Sequence, residues 1–461
     1  MTAQVDEWRQ TSLREVVSKL VDGSHNPPSK QEHGFPMLSA RNVDDGRIVF
    51  DSYRYIEEAA FKQENSRTRI TPGDVLLTIV GTIGRTAVVP SGLAPFALQR
   101  SVAVLSPKPE LLSKFLCYQL QSPAVQRYFE ENARGTAQKG VYLKTLGMTP
   151  VVLPPLVTQV AVVAELEKQF SRLDEAVVNL QRVKANLKRY KASVLKAAVE
   201  GHLVETEATQ AHREGRTFEA GEQLLQRTLE ERRARWAGKG KYKEPESSVL
   251  DGLRPLPEGW AYATTEQMCE QVASGSTPSP EAMFPGAGDV PFLKVYNLTF
   301  DGSLDFTMKP TFVDNATHQG MLARSRSIPG DVLMNIVGPP LGKMSIVPAS
   351  HPEWNINQAI VTFRTSSGLS NQLLAHWLLA QPVLSRLERT AKATAGQHNL
   401  QVSICRKLPI PVPPLAEQAR IVAEVDRHLS IVREVETEVD TNLKRAQALR
   451  QATLAKAFGH A

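Results

Sequence analysis

The Asn26-Pro27-Pro28-Ser29 stretch has most of a motif that can hold the exocyclic amine of an adenine turned out of a duplex. That use requires an aromatic ring next in line to stack on the base. Ser29 supplies none, and no glycine-rich cofactor turn lies nearby. The stretch reads as a turn. Gly338-Pro339-Pro340-Leu341-Gly342-Lys343-Met344 has the outline of a phosphate-binding loop, yet it is one residue too short between its glycines. Two prolines cannot donate amides to a phosphate, and Met344 stands where a magnesium-binding hydroxyl is required. Gly81-Thr82-Ile83-Gly84-Arg85-Thr86 fails in a similar way. Both segments read as tight turns between strands that present a basic residue. No pair of histidines has metal-ligand spacing on a helix, and Glu165 with Lys168 reads as a solvated helix face. Cys117, Cys269 and Cys405 lie too far apart for a metal knuckle, and we read them as reduced packing residues. Catalytic, cofactor-binding and metal-binding residues are therefore expected to be absent.

The residues left with chemistry to offer are basic and amide side chains in glycine-rich turns. In the first half they are Arg85, Gln99, Arg100, Arg134, Gln138 and Lys139; in the second, Lys343, Gln358, Lys392, Gln397, His398 and Asn399. Arg and Lys can grip guanine, and Asn and Gln can pair with adenine, while over half of protein–DNA hydrogen bonds go to the backbone. Between Ala176 and Val199 there is no acidic residue, yet Arg182, Lys184, Lys188, Arg189, Lys191 and Lys196 all occur. Such a stripe is either a solvated helix face or a surface for phosphates. The net charge of +6 and pI near 9.1 are compatible with a nucleic-acid partner without requiring one. With 42% apolar and 22% charged residues the composition is globular. Apolar runs fall far short of the roughly 18 residues of a membrane span, and residues 1–14 read as neither a secretory nor a transit signal. A cytoplasmic location is expected.

Those residues must be positioned by elements, and the elements repeat. Trp8 and Trp260 lie 252 residues apart, as do Gly23 and Gly275. Asn26-Pro27-Pro28 after the first glycine is answered by Thr277-Pro278-Ser279-Pro280 after the second. Pro36, Leu38 and Asn42 answer Pro291, Leu293 and Asn297 at an offset of 255, and Pro72-Gly73-Asp74-Val75-Leu76 answers Pro329-Gly330-Asp331-Val332-Leu333 at 257. Gln99 answers Gln358, and Pro154-Pro155-Leu156 with Gln159 answers Pro413-Pro414-Leu415 with Gln418, all at 259. The slow drift in one direction is what small loop insertions produce in a duplicated segment.

Each repeat has two parts. Residues 1–152 and 255–411 are rich in short β-branched runs such as 47–50, 75–80 and 101–105, with helices expected over 110–121 and 371–380, which predicts an α+β domain. The second part, 156 to about 203 and 415–460, has no proline and carries an apolar seam. In the first copy the seam runs through Val163, Leu166, Phe170, Leu173, Val177 and Leu180, and in the second through Val422, Val425, Leu429 and Val432. A step of three from Leu180 to Val183 is a stammer. Pro155 and Pro414 suit a first helical turn, where a missing amide hydrogen costs nothing. Two equivalent helices after two equivalent domains can pair antiparallel, each burying its seam on the other.

The order of globular domain, Pro-Pro-Leu-x-x-Gln, long helix and connector, then the same again, resembles the specificity (S) subunits of type I restriction-modification systems over essentially the whole chain. Leu195-Lys196-Ala197-Ala198-Val199-Glu200-Gly201 is similar to that family's helix-ending motif, and Leu454 to Gly459 is a second copy that lacks the glutamate. Residues 221–245 are similar to its central connector. The resemblance implies an α+β fold with two pseudo-symmetric α/β target-recognition domains separated by two long antiparallel coiled-coil helices. The divisions are recognition domain 1 at 1–152, helical spacer 1 at 153–204, connector at 205–254, recognition domain 2 at 255–411 and helical spacer 2 at 412–461. It further implies a non-catalytic subunit that binds an asymmetric, bipartite double-stranded DNA site. Two methyltransferase (M) subunits and restriction (R) subunits would be the partners. They would carry the S-adenosylmethionine, ATP and Mg chemistry for adenine methylation and cleavage. A related type II specificity subunit shares this architecture, and a non-DNA coiled-coil scaffold with duplicated binding heads is a reading of a different class. A methyltransferase gene beside this one would favour either of the first two.

Overall fold

The computed structural model describes residues 8–44, 46–135, 138–238, 240–247, 252–338, 340–392 and 399–459, apart from the Lys392 side chain. The candidate residues Gln397 and His398, and His460 at the end of the second helical part, lie outside the described residues. The chain forms two compact units, 1–183 with 438–461, and 184–437.

The duplication is visible in the sheets. In the first unit an antiparallel sheet runs in the order Val17–Asp22, Val102–Pro107, Val75–Thr78, Thr86–Val88. In the second the order is Cys269–Ser274, Ile360–Thr365, Val332–Asn335, Met344–Ile346. A smaller sheet beside each contains a parallel pair, Phe35–Leu38 with Ala97–Leu98 and Val290–Leu293 with Trp354–Ile356. The outer ribbon of each domain joins its first strand to its last, Arg9–Ser12 to Pro150–Leu153 and Ala261–Thr264 to Pro409–Val412. The fold is thus α+β in both repeats.

Several paired positions turn out to be fold pins. Gly23 and Gly275 press on backbone: an added Cβ would sit 2.3 Å from the Leu98 carbonyl oxygen in one and 2.0 Å from that of Ile356 in the other. The carboxamide of buried Asn42 accepts from Ser39 N (2.9 Å) and donates to the Val49 and Ser52 carbonyls (2.8 and 3.1 Å). Asn297 does the same with Lys294 N (2.9 Å) and the Asp305 and Met308 carbonyls (3.0 and 2.9 Å). Asp74 is paired with Lys19 at 2.9 Å, and Asp331 receives Arg364 through two nitrogens at 2.9 and 2.8 Å.

The long helices span Leu156–Val199 and Leu415–Phe458. The first stops short of the expected 203 because Gly201 turns left-handed (φ +72) and His202 N reaches back to the Ala197 carbonyl at 2.9 Å, a glycine-based helix stop. The other helices are also shorter than expected, Ser113–Leu120 and Asn371–Leu379. In the first unit buried Val163, Leu166 and Phe170 share a core with Phe115, Leu116, Leu454 and Phe458. Leu173, Val177 and Leu180 are half-buried. The Arg450 guanidinium lies 4.2 Å from the Phe170 ring centroid and 2.9 Å from Asp174. In the second unit Val422, Val425 and Leu429 share a core with Val194, Leu195 and Ala198, and Val432 is also buried. There Tyr190 bonds His428 at 2.7 Å. The two helices pack antiparallel.

Among the described residues of 205–254 lie two helices, Glu207–Glu214 and Gly221–Ala234. The second packs on the neighbouring domain through fully buried Leu224. Buried Glu417, the residue before the Gln418 clamp, accepts Glu207 N at 2.8 Å and the Trp260 indole at 2.9 Å. Among the described residues no helix is long and apolar enough to cross a membrane.

Candidate nucleic-acid interface

The Asp-Val-Leu strand, 75–78 or 332–335, ends in a left-handed turn that must return the chain into the adjacent strand. Gly81 and Gly84 in one copy, and Gly338 and Gly342 in the other, have φ between +81 and +95. The turn is pinned by a side chain at the strand's end. Thr78 Oγ1 accepts Arg85 N at 3.0 Å, and Asn335 Oδ1 accepts Lys343 N at 2.9 Å. The amide of Arg85 or Lys343 is thereby held within the fold, just before the next strand begins.

Two further segments reach the same end of each sheet. Gln99 N donates to Leu38 O (2.9 Å), Arg100 N to Ser24 O (2.9 Å), and Val102 N to Gln99 O (3.0 Å). In the second copy Asn357 N bonds Leu293 O and Ile360 N bonds Asn357 O, so Asn357, not Gln358, takes the place of Gln99, and Gln358 takes that of Arg100, one residue off the register that the offset of 259 implied. Arg134 and Gly140 exchange backbone bonds of 2.9 Å, and Lys139 O accepts Gly81 N at 3.1 Å. In the second copy Asn399 bridges Val337, and Leu400 N reaches Ile336 O at 2.8 Å. The structure therefore gathers Arg85, Gln99, Arg100, Arg134, Gln138 and Lys139 around one sheet end, and Lys343, Gln358 and Asn399 around the corresponding end of the other. Arg85, Arg100, Arg134, Gln138, Lys139, Gln358 and Asn399 are exposed, and Gln99 and Lys343 are half-buried. Lys392 ends the helix Gln381–Lys392. Lys188 and Arg189 are exposed on the long helix, with Arg189 bonded to Asn186.

The neighbours of these residues were not legible beforehand. Arg85 is paired with Asp44 at 3.1 Å. Lys343 holds its ammonium 5.7 Å from the centroid of the exposed Phe300 ring. Beside the Ser24–Gln99 bridge, Asp22 binds His25 (2.7 Å) and Arg67 (3.3 Å), and Ser24 binds Glu64 (2.8 Å). Arg67 and Glu64 come from the helix Glu58–Thr68, which no spacing in the sequence ties to Gln99.

The three thiols are buried and held in the protonated form. Burial pushes the Cys117 thiol up to about 11 and Cys405 up to about 12, and raises Cys269 as well. Among the described residues no cluster of His, Cys, Asp and Glu could hold a metal ion.

The fold is a duplicated α+β domain with one long helix following each copy. The family model for the type I restriction modification DNA specificity domain matches residues 6–180 and 257–445, and the chain belongs to this family. It is 22% identical over 461 residues to the type I restriction enzyme EcoBI specificity subunit of Escherichia coli, covering 98% of this chain and 86% of that one. Against the EcoKI specificity subunit of E. coli strain K12 the identity is 19%, covering 92% and 81%. A solved chain, from a structural study of complex assembly and conformational transition of the type I R-M system, shares its fold. The TM-score is 0.65 at 20% identity, with 99% of each chain covered.

Proposed function

We propose that this chain is the sequence-reading subunit of a type I restriction-modification system, and that each repeat reads one half of an asymmetric, bipartite double-stranded DNA site. The observation that carries this reading is the convergence, in both copies, of three polar segments on the same end of the four-stranded sheet. Family membership supports it over a scaffold that binds no DNA.

The two loop sets differ in their side chains, so the half-sites they read differ as well. Phosphate contacts from Arg and Lys would set register, and a few amide or guanidinium contacts to base edges would carry the sequence information. The chain itself performs no chemistry in this reading. Two methyltransferase subunits bring S-adenosylmethionine, and restriction subunits bring ATP and magnesium, all in the cytoplasm.

The test is to sequence methylated adenines in a host expressing the whole operon, then repeat it with residues 1–150 exchanged for the matching domain of another such subunit. One half-site should change and the other persist. A change in both halves, or in neither, would refute independent reading by two domains.

A further inference from the structure

The two sheet ends treat their turn cation differently. Gly46 bridges Ala87 in the first copy, and Gly302 bridges Ser345 in the second, each one residue inside the start of the returning strand. Counting back two residues from these bridged glycines places Phe300 where the first copy has Asp44. Asp44 neutralises Arg85, whereas Phe300 lies under Lys343, and among the described residues no carboxylate pairs with that ammonium.

Phe300 is 51% exposed at the tip of a short hairpin closed by the Leu298–Leu304 bridge. The tip is held in shape. Thr299 O accepts Met344 N at 2.8 Å, and Gly302 turns left-handed (φ +93). Asp301 Oδ1 accepts from Thr299 Oγ1, from Ser303 N at 3.0 Å and from Ser303 Oγ at 2.7 Å. Although burial opposes ionisation there, these bonds and nearby Lys191 hold the Asp301 carboxyl at about 2. Its charge is thus turned into the loop, and the ring with its cation faces outward. The nearby Phe306 ring, by contrast, packs at 5.3 Å on both Phe312 and Trp354.

We infer that Phe300 is an aromatic wedge at a base step of the second half-site, unstacking that step while Lys343 engages the adjacent phosphate or base edge. An exposed ring beside a cation matches the two faces of a nucleic acid, an aromatic surface flanked by anions. Apolar side chains inserted at a base step unstack it. This inference rests on the DNA-reading function proposed above and adds that the two heads read by different physical means.

The experiment uses the chain assembled with its methyl-transfer partners and a cognate duplex. 2-Aminopurine replaces, in turn, each adenine of the second half-site other than the methylated one. On binding, the wild type should raise the fluorescence at one step. Phe300→Ala should abolish that rise and weaken cognate binding by roughly 10- to 100-fold, the scale of one lost base–aromatic stack. Phe300→Leu, with circular dichroism, controls for folding. If the wild type binds the duplex without any such rise, or if Phe300→Ala keeps both the rise and the affinity, the base contact is overturned while DNA reading stands. If a folded Phe300→Ala variant no longer assembles with its partners, the ring is a protein-docking residue and the inference is equally overturned. A wild-type assembly that prefers no duplex sequence would overturn the reading function itself.

Discussion

Gln159 and Gln418 show how one side chain can fasten a reader to its helix. Gln159 accepts Leu112 N at 2.9 Å and donates to the Glu110 and Pro154 carbonyls, both at 2.8 Å. Gln418 repeats this with Ser370 N (2.8 Å) and the Gly368 and Pro413 carbonyls (3.0 and 3.1 Å). Each buried backbone group left without a partner costs about 1–3 kcal/mol. Gln159→Leu should therefore destabilise the chain by roughly 3 kcal/mol, read as a lower urea midpoint. A wild-type midpoint would show that these bonds contribute nothing net. A second residue-scale prediction concerns Glu417. Burial raises its carboxyl, although Glu207 N, the Trp260 indole and Arg420 favour the ionised form. With the folded value raised, the native state binds the proton more tightly than the unfolded chain does. Its contribution to stability is fully present below the ordinary 4.5 and is lost as the pH climbs through the raised value. The difference in urea midpoint between wild type and Glu417→Gln should change across that window. A constant difference would contradict the raised pKa.

At the scale of elements, the paired helices act in our proposal as a ruler for the DNA spacer. Each has 44 residues, and so a length of about 66 Å at 1.5 Å per residue. Adding one heptad to each, after Leu173 and after Val432, keeps the apolar seams and lengthens each helix by about 10 Å, the rise of roughly three base pairs. Three base pairs also turn the far half-site by about 100° around the duplex axis, which a straight extension does not follow. A random-spacer selection should return either a longer spacer or a large loss of affinity, with both half-sites unchanged. Recovery of the original spacing at full affinity, from a mutant confirmed as helical, would sink the ruler.

For the whole molecule, the prediction is that purified chain free of partners transfers no methyl group and cuts no DNA. Deep burial removes its three thiols from such chemistry. Turnover that follows this chain through purification to homogeneity would assign it a catalytic site after all.

The sequence by itself determined the duplication, the boundary prolines and the two long helices, because a repeat offset and an apolar period are properties of residue order alone. It also singled out the two strand-linking turns, since glycines at that spacing leave few other conformations. What Asn42, Asp74 and Gln159 do needed the tertiary structure: each satisfies buried backbone or charge supplied by segments that only folding brings near. The same holds for the pairing of Arg85 with Asp44 and of Lys343 with Phe300. In each pair the partner lies about 40 residues earlier, and a one-residue difference in loop length decides whether an acid or a ring meets the cation. Periodicity cannot register such a shift, because the strand bridges beneath the turn, at Ala87 and Ser345, set which side chain arrives there.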